Sequence, residues 1–127
     1  MTTRYLNIEA RERRMPLYLA RLEDFTVSEG EGVDVEIVLS NPNLSLYCLD
    51  DKTRRAIFVE LPPDIDLTTL TFMYGTQFRV AQRLVAVPYE SFSRIAKALP
   101  PVEHLVFIYM TGRSGSTLLS NVFNELD

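Results

Sequence analysis

The sequence predicts an α/β protein, built as an N-terminal antiparallel strand meander, two helices, and one strand–loop–helix unit that is incomplete as a fold. Three observations carry this. Apolar residues alternate in short runs up to residue 61, they shift to helical spacing after Pro62-Pro63, and a continuous apolar run at 105–110 leads into a glycine-containing loop. At 127 residues the chain is long enough for one domain with a sizeable core.

Residues from about Tyr5 to Leu22 follow a weak helical pattern broken by Pro16, which leaves a kinked helix or an irregular lead-in as alternatives. Arg4, Arg11, Arg13, Arg14 and Arg21 are interleaved with Glu9, Glu12, Glu23 and Asp24, and this mixture reads as a solvated face. A turn over Ser28–Gly32 precedes Val33–Leu39, where Val33, Val35, Ile37 and Leu39 fall on one face of a predicted strand and Asp34 and Glu36 on the other. Asn41-Pro42-Asn43 is a further turn signal. It leads to predicted strands over Leu44–Leu49 and Arg55–Leu61, joined by a turn at Asp50–Thr53. Cys48 is placed on the face of Leu44 and Leu46, as a small buried hydrophobe with no chemistry.

From Leu70 the period changes. Tyr74, Phe78, Ala81 and Val85 at helical spacing predict a helix of about three turns. Pro88 suits the start of a second helix, in which Phe92, Ile95 and Leu99 form the inward stripe until Pro100-Pro101 stop it. The proline pairs divide the chain into an expected β-rich appendage (1–62), a helical segment (63–101) and the start of a further domain (102–127).

Composition narrows the function. A formal net charge of −4 gives no general attraction to nucleic acid or to an anionic membrane, so neither partner is expected. One cysteine cannot close an intramolecular disulfide, and with a single histidine there is no Cys/His cluster of metal-ligand spacing. The N-terminus lacks the apolar run of a signal peptide, and the expected location is cytoplasmic.

The chemistry concentrates at the other end. Leu105–Met110 reads as a strand buried on both faces, and Leu118, Leu119, Val122, Phe123 and Leu126 form one stripe of a helix. Between them, Thr111-Gly-Arg-Ser-Gly-Ser-Thr117 sits where a helix N-terminus offers unpaired N–H groups and partial positive charge, a natural seat for phosphate. Gly112 and Gly115 permit close backbone approach, Ser114, Ser116 and Thr117 add hydroxyl donors, and Arg113 adds a permanent charge. Two residues, not four, separate the glycines, and no Gly-Lys-Ser/Thr ending follows, which disfavours a magnesium-dependent ATPase or kinase. The structural alternative is a Gly/Ser turn that merely joins two core elements, in a small binding or interaction module.

Phe107–Leu119, Phe-Ile-Tyr-Met-Thr-Gly-Arg-Ser-Gly-Ser-Thr-Leu-Leu, resembles the 5′-phosphosulfate loop of the P-loop sulfotransferases, particularly their bacterial and carbohydrate-type branch. The resemblance spans about residues 102–127. It implies 3′-phosphoadenosine 5′-phosphosulfate as sulfuryl donor, a hydroxyl or amine of a small molecule or carbohydrate as acceptor, and no metal. By resemblance Gly112, Arg113, Ser114, Gly115, Ser116 and Thr117 surround the 5′-phosphate, and Arg113 is the catalytic residue, stabilising charge on the departing phosphate. The 3′-phosphate site and the acceptor's base follow the first loop in that family, so this chain is expected to be an incomplete, inactive N-terminal part. An unpaired parallel strand at 105–110 further predicts self-association. His104 precedes the predicted strand, roughly 20 Å or more from Arg113 at about 3.3 Å per strand residue, and is expected to be a surface or strand-start residue.

Overall fold

The computed structural model describes residues 2–13, 20–67, 73–105 and 122. Five strands, β1 (Arg4–Arg11), β2 (Phe25–Gly32), β3 (Leu44–Asp50), β4 (Arg55–Glu60) and β5 (Arg83–Pro88), form one sheet in the order β2-β1-β5-β4-β3. Every neighbouring pair is antiparallel. Helix α1 (Ile37–Ser40) follows β2, α2 (Met73–Val80) lies between β4 and β5, and α3 (Tyr89–Ala98) follows β5. β5 bonds to both β1 and β4, so residues on either side of Pro62-Pro63 share one sheet. The sheet described is antiparallel throughout, and the expected parallel strand Leu105–Met110 lies outside the described residues apart from Leu105.

Strand alternation divides the core between two faces. Leu6, Ile57, Val59, Leu84 and Ala86 point to one face, with Phe25, Tyr47 and Phe78 of α2. Tyr5, Ala56, Phe58, Val85 and Val87 point to the other, under Val35, Ile37, Val38 and Phe92. Leu6, Ile57, Val59, Leu84, Val85 and Val87 are fully buried. Each such side chain contributes about 1.5–3 kcal/mol of burial free energy.

β3, β4 and their turn follow the sequence expectation, with Asp50 Oδ2 accepting from Thr53 N–H at 3.1 Å in the turn. Leu61 N–H donates to Asn43 C=O at 2.9 Å and closes the pair. The predicted face of Cys48 is corrected by an irregularity between Leu46 and Cys48. Tyr47 and Cys48 both pack on the face of Ile57, whereas Leu44 packs on the opposite face and Leu46 is exposed. An extra residue in one strand inverts the alternation beyond it.

Four other expectations are corrected. Arg4–Arg11 is a strand, not a helix or irregular lead-in, and 28–32 is the end of edge strand β2, not a turn. Val33–Leu39 is not a strand: Asp34 Oδ1 accepts from Glu36 N–H at 2.9 Å, a side-chain bond that competes with ladder pairing and starts the turn into α1. Val33, Val35, Ile37 and Val38 still face the core, while Leu39 is exposed. The helix read through Ala81 and Val85 stops at Val80, because Gln82 N–H bonds to Glu60 C=O at 2.8 Å and draws the chain into the sheet as β5. α3 starts after Pro88 as expected and turns Phe92 and Ile95 inward, with the Phe92 and Phe58 rings 6.1 Å apart. Leu99 falls beyond the helix end and is exposed.

Candidate functional site

The six loop residues Gly112, Arg113, Ser114, Gly115, Ser116 and Thr117 lie outside the described residues, so their mutual geometry is not part of the structure. The approach to the loop is described. After α3, residues 100–105 are exposed, Val102 by 69% and Leu105 by 64%, and His104 is also exposed. Of the apolar stripe beyond the loop only Val122 is described; its backbone is helical and its side chain 47% exposed. Apolar side chains at 102, 105 and 122 are thus left for contacts other than the five-stranded core.

Described polar groups with several fixed hydrogen-bond partners lie elsewhere. A short helical turn, Leu22–Asp24, leads into β2 and turns the Asp24 side chain inward, where it is 1% exposed. Asp24 Oδ2 accepts from Arg21 N–H at 3.1 Å and from Tyr47 Oη–H at 2.8 Å. Burial and then the adjoining Asp24 carboxylate raise the Tyr47 phenol well above its ordinary pKa, so its proton stays in place as the donor.

Two arginines read as solvated in the sequence are structural. Arg11 donates from Nη1 to the carbonyls of Phe78 and Arg79 and from Nη2 to that of Ala81, each at 2.8 Å. It thereby satisfies the C-terminal end of α2, where carbonyls lack helical partners. The Arg13 guanidinium lies over the rings of Tyr74 and Phe78, 5.3 and 5.2 Å from their centroids. Leu6 and Ile8 alternate with Asn7 and Glu9 as in a half-buried strand, a signal obscured by the Arg/Glu mixture around them.

Cys48 borders a shallow 300 Å³ hollow with Arg21, Glu23, Asp50 and Lys52. Burial, reinforced by the negative charges of Asp50, Asp24 and Glu23, pushes its thiol up to about 12. Such a thiol is protonated at neutral pH and is a poor nucleophile. Lys52 pairs with Glu23 at 2.8 Å across this hollow and holds the Glu23 carboxyl below its ordinary pKa.

A second, open hollow of 510 Å³ lies at the start of α3, bordered by Arg54, Tyr89, Ser91 and Arg94. Tyr89 Oη–H donates to Asp51 at 2.7 Å, and this bond raises the exposed phenol to about 12. Among the described residues no group of three or more His, Cys, Asp or Glu is arranged to hold a metal ion, and no helix is long and apolar enough to cross a membrane.

No family model, curated protein or solved structure matches the chain. The likeness of Phe107–Leu119 to a phosphosulfate loop therefore rests on those residues alone.

Proposed function

We propose that the chain binds 3′-phosphoadenosine 5′-phosphosulfate through Gly112–Thr117 and serves sulfuryl transfer to a hydroxyl or amine of a small molecule or carbohydrate. The observation that carries this reading is the order of Leu105–Met110, Thr111-Gly-Arg-Ser-Gly-Ser-Thr117 and the stripe from Leu118 to Leu126. The donor set suits a single phosphate: three hydroxyls, a guanidinium, and two glycines that let backbone N–H groups approach. Its lack of a Gly-Lys-Ser/Thr ending removes the element that seats magnesium beside a triphosphate.

In the proposed reaction the sulfur–oxygen bond to the 5′-phosphate breaks as the acceptor oxygen or nitrogen bonds to sulfur. The acceptor proton leaves to a base, and negative charge accumulates on the phosphate side. Donors fixed beforehand at a loop and helix end favour that charge distribution. Arg113, protonated at all accessible pH, stabilises the leaving phosphate and is not a proton donor.

Calorimetric titration with 3′-phosphoadenosine 5′-phosphate tests the reading. Removing one charge-assisted contact costs about 1.5–3 kcal/mol, so Arg113→Ala is expected to weaken binding roughly tenfold or more. Gly115→Val should abolish it by blocking backbone approach. Undiminished binding by both variants would leave the Gly-Arg-Ser-Gly segment as a connector. That second reading, a binding or interaction module, draws on the five-stranded sheet, which covers both of its faces with residues preceding the loop.

A further inference from the structure

The strands at the two edges of the sheet differ in chemistry. β2 carries exposed Glu29 and Glu31 and has an irregular register with β1, features that discourage another strand from adding to it. Residues 44–49 of β3, Leu-Ser-Leu-Tyr-Cys-Leu, contain no charge, glycine or proline, and Leu46 and Leu49 are 42% and 57% exposed. A short uncharged strand of this kind at a sheet edge is a template for pairing with its own copy.

The register shows which backbone groups of β3 face that edge. Leu61 N–H bonds to Asn43 C=O, and alternate residues of an antiparallel strand turn their polar groups to opposite neighbours, so Ser45 and its partner Val59 also turn theirs to each other. Leu46 pairs with Phe58 and, beyond the irregularity, Leu49 pairs with Ala56, and these two β4 residues turn their groups to β5. The N–H and C=O groups of Leu46 and Leu49 therefore point away from β4.

Gln77 of α2 meets this row. Its side chain is in the core, 2% exposed, and Nε2 donates to Ser45 Oγ at 2.8 Å and to Leu46 C=O at 3.0 Å. An apolar residue at 77 would fill the space but could not satisfy that carbonyl. Arg11 holds the end of α2 to β1 through the carbonyls of Phe78, Arg79 and Ala81, so the helix that carries Gln77 is anchored from the far side of the sheet order.

From this geometry we infer that Gln77 seals the β3 edge, keeping a second copy of the chain from adding its own β3 as an antiparallel strand. The occupant excluded is a second copy because the strand is complementary to itself. About a two-fold axis the uncharged residues 44–49 of two chains oppose one another without like charges, and the exposed leucines of both come to one face. Such a strand must donate to Leu46 C=O, the acceptor that the Gln77 amide occupies.

Gln77→Ala tests the seal by light scattering and by amide exchange at several protein concentrations. The variant is expected to associate as concentration rises, with exchange of the outward Leu46 and Leu49 amides slowing roughly tenfold as each gains a backbone partner, while in the wild type their exchange is independent of concentration. A folded variant that does not associate, or that associates without slowing these two amides, would overturn the inference. So would a wild type whose Leu46 and Leu49 amides slow with concentration as the variant's do. Gln77→Met keeps the side-chain volume and loses the donors, and serves where alanine prevents folding; it is expected to associate more weakly than Gln77→Ala. The wild type alone supplies a further readout: the Gln77 side-chain amide protons should exchange far more slowly than those of a free glutamine, and exchange at the free rate refutes the seal.

Discussion

The Tyr47 hydroxyl donates to Asp24 Oδ2 at 2.8 Å from a ring that is itself core, edge-on to Phe25. The bond ties edge strand β3 to the start of edge strand β2, two elements at opposite ends of the strand order. A carboxylate buried this far is tolerated only where such donors meet it.

Stability at alkaline pH should report this bond. Tyr47 has a folded-state pKa above its unfolded value of 10.0, chiefly through burial and secondly through Asp24. The folded protein therefore holds the phenolic proton more tightly. The contribution is complete below pH 10 and is lost as pH rises from there towards the folded pKa, at about 1.4 kcal/mol per pH unit. Cys48, raised from 9.0 to about 12, adds a loss of the same sign that begins one unit lower. Urea denaturation of Tyr47→Phe beside the wild type isolates the tyrosine: the variant should be about 1–3 kcal/mol less stable at neutral pH and the gap should narrow above pH 10. A gap independent of pH would show that the phenol ionises as freely in the fold as outside it.

The elements legible in the sequence are those in which local chemistry and tertiary packing agree. β3 and β4 carry apolar runs between turn signals, and α3 has a proline start and Phe92 and Ile95 on one face. Val33–Leu39 has the alternation of a strand, but Asp34 offers its carboxylate to the backbone and bends the chain. Leu84–Val87 has the continuous apolar character of a central strand. Val85 also continues the helical spacing of Tyr74, Phe78 and Ala81, which masks the strand. What separates the two readings is a partner distant in sequence: Glu60 for Gln82, and β1 for β5. The candidate loop is the converse case. Its chemistry is legible from residue types alone, since glycines, hydroxyls and an arginine before an apolar stripe have a physical meaning without coordinates.

Arg11 offers a second measurable effect. Its guanidinium reaches three carbonyls at the end of α2 from strand β1, using both terminal nitrogens. Two of these bonds are solvent-exposed, which reduces their worth, and Arg11→Ala is expected to cost about 1–2 kcal/mol in urea denaturation. Arg11→Lys should recover less than half of that, because an ammonium cannot span carbonyls approached by two separate nitrogens. Full recovery by lysine would make charge near the helix end, not forked bonding, the effective interaction.

Gly30 and Gly32 provide an internal control on the edge of the sheet. A Cβ on Gly30 would meet Tyr5 O at 2.8 Å and Tyr5 C at 3.2 Å, both backbone atoms of the neighbouring strand, which cannot swing aside as a side-chain end could. On Gly32 the nearest atom would be Thr3 O at 3.8 Å, an ordinary contact. Gly30→Ala must therefore push β2 away from β1 where their register is already irregular, between Arg4 and Leu6. Relieving that overlap is expected to cost about 1–3 kcal/mol. Gly32→Ala should be neutral or slightly stabilising, since alanine restricts the unfolded chain more than glycine does. Thermal or urea unfolding of the two variants in parallel distinguishes a steric origin from a general loss of glycine flexibility: equal destabilisation would refute the steric one. Amide exchange adds a second readout, because displacement of β2 should speed exchange in the β1–β2 ladder while leaving the β4–β5 ladder protected.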